Sequence, residues 1–278
     1  IITEIDKRFK IKDGSTGEPK QNLGAAISKY QLQDGSWAWA MSSDAYLKTA
    51  LDNIETYLKK KGERLKTKTS CVLPSGWKPE LDTTDLLSDD DTGFYQSQIG
   101  ILRWAVELVA STLRVSMLAA FSVAPRQGHM AGVLHLYAYL KAHDRSRLVL
   151  DPGHLPDISC PSYDWTDFYG DVQEAIPPDC PEERGQAVQT SACVESDYAA
   201  DLVSRRSRTG VLIYLMSAPI IWHTKKQGSI ETSSFGAEFT AMKSGIELII
   251  GLRYKLRMMG VPLEGPTLIR ADNMSAIH

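Results

Sequence analysis

The chain has 278 residues, 43% of them hydrophobic and 23% charged, with a formal net charge of -3 at pH 7. That length accommodates more than one hydrophobic core, and that composition excludes a chain disordered throughout. The slightly acidic balance excludes binding to nucleic acid through bulk positive charge, so any such contact has to come from local basic patches.

Residues 23–41 alternate apolar and polar around Asp34-Gly35, which predicts a hairpin. Ser42 and Ser43 can then cap a helix carrying Leu47, Ala50, Leu51, Ile54, Tyr57 and Leu58 at helical spacing, with Gly62 as its stop. Lys48, Lys59, Lys60 and Lys61 read as its solvated face. Residues 66–92, rich in Thr, Ser, Pro and Asp, predict a long loop. The acidic run Asp89-Asp90-Asp91 at its end reads as a solvated turn rather than a metal site.

A long helix is expected over 94–121, broken by Pro125. A second is expected over 127–143, with Met130, Val133, Leu134, Tyr137 and Leu140 on one stripe, so that the two form an antiparallel pair. The apolar stretch 99–123 is interrupted by Arg103, Glu107 and Arg114, which argues for a core helix and against a membrane span. His129, His135 and His143 are spread around the second helix and read as structural. Residues 148–185 predict an irregular connector whose aromatics Tyr163, Trp165, Phe168 and Tyr169 pin it to a neighbouring core or stack on bases. The cysteines, Cys71, Cys160, Cys180 and Cys193, sit at no metal-ligating spacing and fit a reduced intracellular protein.

From residue 188 the pattern changes. Strands are predicted at 189–194, 209–216 and 220–224, then a helix over 233–259 closed by Gly260, then a strand at 267–271. This is an α/β (α+β) pattern over a mixed sheet. Glu195 and Asp197 lie at the end of its first strand, Glu238 in the first turns of its helix, and Asp272 at the end of its last strand. Carboxylates that converge raise one another's pKa unless cations neutralise them. Two Mg2+ ions held by carboxylates are the arrangement for in-line displacement at phosphorus. Acids at strand ends are common, however, and this pattern alone does not identify a nuclease.

The wording of the region is more specific. Residues 195–201 (ESDYAAD), 205–211 (RRSRTGV), 221–227 (IWHTKKQ), 233–242 (SSFGAEFTAM) and 271–277 (ADNMSAI) follow one another in the order of the motifs DADWAGD, RKSTSGY, ISWSSKKQ, SSTEAEYMAL and CDNQSAI. On these residues the region resembles the ribonuclease H domain of Ty1/copia-type retrotransposon Pol polyproteins. Upstream, 95–104 is similar to that family's YRSLVGSLLYL segment, 135–141 to its ILRYLKGT helix, and Asn22-Leu23-Gly24 to the YLG after the polymerase active-site strand.

The resemblance implies a domain plan. Residues 1–65 would end a reverse-transcriptase palm, 66–93 would link it to a helical thumb or connection region at 94–150, 151–187 would connect onward, and 188–278 would form a ribonuclease-H-like domain. It implies Mg2+, as two ions, on Glu195, Asp197, Glu238 and Asp272, and hydrolysis of RNA in an RNA–DNA hybrid. Position 195 departs, with Glu where the family has Asp. The polymerase YVDD run is absent from these 278 residues, and the family's last catalytic acid would lie beyond His278. Contacts to hybrid or template–primer would fall to Arg205, Arg206, Arg208, Lys225 and Lys226, which can hold phosphate without reading sequence. The rest of the Pol polyprotein is the other expected partner, and an intracellular retroelement particle the expected setting. A ribonuclease-H-type nuclease fragment, a non-catalytic binding module and an inactive relic stand as the three readings.

Overall fold

A computed structural model describes residues 16–22, 24–66, 69–72, 74, 76–106, 112–143, 147–154, 166–170 and 174–273. The predictions for Leu23, Cys160, Tyr163, Trp165 and residues 274–277 lie outside them.

The first sheet contains β1 (Gln21–Asn22), β2 (Ala25–Gln31), β3 (Trp37–Ser42) and β4 (Leu148–Leu150), in that order and antiparallel throughout. The predicted hairpin joins β2 to β3. Asp34 Oδ1 accepts from the Ser36 N–H at 2.9 Å, and Gly35 takes the left-handed φ of +84° that the turn requires. β4 is an addition to the sequence reading: three residues of the expected irregular connector pair with β3.

Four helices surround the first core: α1 (Asp44–Lys60), α2 (Asp89–Val106), α3 (Thr112–Ala119) and α4 (Gln127–Ala142). Leu47, Ile54, Leu58, Leu102, Leu118, Val133 and Leu136 meet inside it, each worth about 1.5–3 kcal/mol when fully buried. Two expectations need correction. The acidic run is not a loop: Asp89, Asp90 and Asp91 form the first turn of α2, and Ser88 Oγ accepts from the Asp91 N–H. Carboxylates are favoured there because they face the positive end of the helix dipole, and Asp91 also receives the Lys61 ammonium at 2.7 Å and the Tyr57 hydroxyl at 2.9 Å. Residues 107–111 of the helix expected over 94–121 lie outside the described ones, and the described parts are not one continuous helix: Tyr95 donates its hydroxyl to the Leu118 carbonyl at 2.7 Å, so α2 and α3 fold back on each other. His129 is structural as expected: buried, it accepts the Arg126 N–H at Nδ1 and meets the Pro79 carbonyl at Nε2, both at 2.9 Å.

Past a short α5 (Thr166–Tyr169), the second sheet comprises β5 (Thr190–Asp197), β6 (Arg208–Leu215), β7 (Ala218–Lys226) and β8 (Leu268–Arg270), with α6 (Ser234–Met258) between β7 and β8 in the chain. The strand order is β7-β6-β5-β8; the first three are antiparallel and β8 runs parallel to β5. Side chains alternate across a sheet, so Ala192, Val194, Val211 and Ile213 face α6, where Ala241 and Ile249 close the second core. Gly245 permits the approach: a Cβ there would lie 2.7 Å from Val194 Cγ2. Ser233 caps α6 by accepting the Gly236 N–H, and Gly260 follows the helix at a φ of +71°. Among the described residues no helix is long and apolar enough to cross a membrane.

Candidate functional site

The alternation of β5 separates the predicted acids. Ser196 shares the α6 face with Val194. Its N–H and hydroxyl both donate to Glu238 Oε1, at 3.1 and 3.0 Å. Glu238 is 7% exposed, and its other carboxylate oxygen, Oε2, is buried with no partner.

Glu195 belongs to the opposite face with Cys193. Cys193 pairs in parallel with Arg270, the last residue of β8, and Asp272 follows two residues beyond that strand. Both acids are exposed, and both line a pocket of about 550 Å3 on the sheet face away from α6, together with Leu212, Trp222, Thr224 and Arg270. Thr224 Oγ1 and Arg270 Nε are buried there without partners.

Asp197 enters a third environment. Its carboxylate accepts the Arg208 N–H across the ladder and lines a cavity of about 590 Å3 between the second sheet and the helical region, with Trp77, Lys78, Phe121 and Arg208. Although the residue as a whole is exposed, burial of the carboxyl pushes it above its ordinary pKa, against the lowering pull of the Arg208 N–H and of the Arg208 and Lys78 charges. The seam around this cavity is hydrogen-bonded from both sides. Lys78 Nζ donates to the Ala200 carbonyl at 3.1 Å, the Leu202 N–H donates to Glu80 Oε1 at 3.1 Å, and Arg208 Nη1 reaches Ser116 Oγ at 3.3 Å.

The orphaned Oε2 of Glu238 would be satisfied by a cation. Among the described residues, however, no three His, Cys, Asp or Glu side chains come together as a metal cluster. Glu195 and Asp272 share one pocket, Glu238 lies on the other face, and Asp197 lies in the seam. In this arrangement the four acids do not fit two ions.

The predicted basic residues also divide. Arg205, Arg206 and Lys225 are exposed. Arg208 is 9% exposed and points into the seam, and Lys226 donates to Asp201 Oδ2 at 2.7 Å. That pairing, with hydrogen bonds from Ser204, outweighs the opposing effect of burial and holds Asp201 at about 2. Three cations therefore remain available on this surface. Two further residues carry the site and escaped the sequence reading. Ser196 fixes Glu238, and buried Gln227 donates from Nε2 to Thr209 Oγ1 at 3.1 Å and to the Ala237 carbonyl at 2.9 Å, tying β7 to the start of α6. Both lie inside quoted motifs, Gln227 at the end of IWHTKKQ and Ser196 second in ESDYAAD, which was the available signal.

Two curated proteins, the retrovirus-related Pol polyproteins from transposons RE2 and RE1 of Arabidopsis thaliana, are each 28% identical to this chain over 96 residues. The chain is similar to retrotransposon Pol polyproteins. The similarity covers 34% of this chain and 7% and 6% of those two relatives, and it supports a retrotransposon Pol origin. No protein-family model matches the chain, and no solved structure matches it.

Proposed function

We propose that this chain is a fragment of a Ty1/copia-type retrotransposon Pol polyprotein whose last region is a ribonuclease-H-like unit that holds RNA–DNA hybrid without cutting it. The observation that carries this reading is that Glu195 and Glu238 are held on opposite faces of the second sheet, Glu238 by Ser196, one step along β5 from Glu195. Glu195 and Asp272 face one way and Glu238 the other, so in-line hydrolysis lacks the convergent carboxylates it needs. The mixed sheet with its crossing helix is the architecture that the resemblance implies, and Arg205, Arg206 and Lys225 offer exposed charge for backbone phosphate. In a hybrid, 2'-hydroxyl contacts would distinguish the RNA strand. The ancestral reaction of the unit is Mg2+-dependent hydrolysis of that strand. The intact polyprotein, inside an intracellular retroelement particle, is the setting of this proposal.

A second reading, retained cleavage, is favoured by one observation, the unsatisfied Oε2 of Glu238. A labelled RNA–DNA hybrid incubated with the chain and Mg2+ separates the two. Salt-dependent binding with intact RNA is expected. Metal-dependent RNA products that disappear in Asp272→Asn would replace the first reading by the second, and absence of binding at moderate salt would overturn both.

A further inference from the structure

The cavity of about 590 Å3 in the seam is lined by a buried cation that has no anion of its own. Arg208 is 9% exposed, yet its guanidinium makes a single hydrogen bond, from Nη1 to the neutral hydroxyl of Ser116 at 3.3 Å. Among the described residues no carboxylate forms an ion pair with it. The carboxylates nearest to it already have donors: Asp197 accepts the Arg208 N–H, Glu80 accepts the Leu202 N–H, and Asp201 is paired with Lys226. From the other side of the seam, Lys78 donates from Nζ to the Ala200 carbonyl at 3.1 Å and likewise pairs with no described carboxylate. Burying a charge is costly unless it is paired. Here burial lowers the Arg208 pKa against the raising pull of Asp197, Asp201 and Glu80. The motif quoted for residues 205–211 has Thr at its fourth place, where this chain has Arg208, so the buried charge is this chain's own.

Two cations that reach one cavity from opposite sides fit an oxyanion, and the guanidinium fits best, since its fork matches phosphate geometry. The walls add Trp77 and Phe121, and aromatic faces of this kind take a flat ring by stacking. The volume falls within the roughly 300–1,000 Å3 that small-ligand sites occupy. We propose that the seam cavity binds a nucleoside monophosphate, with the phosphate on Arg208 and Lys78 and the base against Trp77 and Phe121. A free nucleotide and the 5'-terminal nucleotide of a strand carry these same groups. Asp197 and Glu80, on the same lining, oppose additional negative charge, which favours a monophosphate over a triphosphate. The proposal is independent of whether Arg205, Arg206 and Lys225 hold hybrid.

Isothermal titration calorimetry of the 278-residue chain with adenosine 5'-monophosphate tests it. Saturable binding is expected, with inorganic phosphate and adenosine each at least about tenfold weaker. Lys78→Gln and Arg208→Gln should each weaken the nucleotide about tenfold or more. Asp197→Asn should tighten it by removing a negative charge from the wall, and misfolding does not raise affinity. Lys78 lies outside helix and strand, and Asp197→Asn keeps an acceptor for the Arg208 N–H, so both variants carry the test if Arg208→Gln unfolds, which circular dichroism reports. A 5'-phosphorylated tetranucleotide that displaces the nucleotide identifies a strand end as the source, and one that does not identifies the free nucleotide. Absence of binding at about 1 mM nucleotide overturns the proposal. So does binding that Lys78→Gln or a folded Arg208→Gln leaves unchanged, that Asp197→Asn fails to tighten, or that phosphate or adenosine alone matches.

Discussion

Glu238, in the second turn of the long helix, closes onto Ser196 near the end of the central strand, where one carboxylate oxygen takes two hydrogen bonds while the other is buried with none. The pair joins helix to sheet at the place where the sequence resemblance implies chemistry.

Removing the Ser196 hydroxyl should therefore weaken the fold. Ser196→Ala is expected to lower unfolding free energy by about 1–2 kcal/mol, because a charge-assisted hydrogen bond to a buried group is lost. The effect should shrink in a Glu238→Gln background, where the charge is gone. Urea denaturation of the two single variants and the double variant measures the coupling.

In the helical region, Tyr137 donates to Gln98 Oε1 at 2.8 Å, and both residues are buried. Tyr137→Phe should lower stability by about 1–3 kcal/mol, since it leaves a buried amide oxygen unpaired. A denaturant midpoint unchanged from the parent chain would refute the assignment.

Gly132 on α4 lies against Trp77 and Leu118, where an added Cβ would come within 2.6 Å of the Trp77 ring and 3.1 Å of the Leu118 side chain. Gly132→Ala should destabilise by about 1–3 kcal/mol through overpacking, despite the better helix propensity of Ala. The same denaturation experiment reads it.

Hydrogen bonds from Arg253 and Arg257 hold Glu174 at about 2, below its ordinary 4.5, with burial opposing them. A carboxylate lowered on folding contributes its stability fully above the unfolded value and loses it as pH falls through the folded one. Its contribution should therefore fade between about pH 4.5 and 2. Glu174 is 40% exposed, so solvent screening keeps the effect at about 1 kcal/mol or less. Glu174→Gln should flatten that part of the stability profile, measured by denaturation at pH steps from 6 to 2.

Hybrid binding should depend on salt through the exposed cations. Replacing Arg205, Arg206 and Lys225 by Ala together should reduce the slope of log affinity against log salt by roughly one per lost phosphate contact. Replacing Lys226, already paired with Asp201, should change the slope far less. Equal effects at both places would refute the division between exposed and engaged charges.

The sequence by itself determined the local elements of this chain. The Asp34-Gly35 hairpin, the α4 stripe, the three strands before α6 and the Gly260 stop all follow from short-range periodicity and backbone preference, and the structure carries each of them. Periodicity does not register the dipole of a helix not yet formed, so Asp89–Asp91 looked like a turn until α2 was in place. It also cannot foresee pairing across 100 residues, and β4 was therefore missed. The motif acids were legible as residues but not as a site. Whether Glu195 and Glu238 meet depends on the face each side chain takes in the assembled sheet. On β5, one step from Glu195 to Ser196 reverses that face, and only the packing of α6 on one side fixed which of them Glu238 would reach.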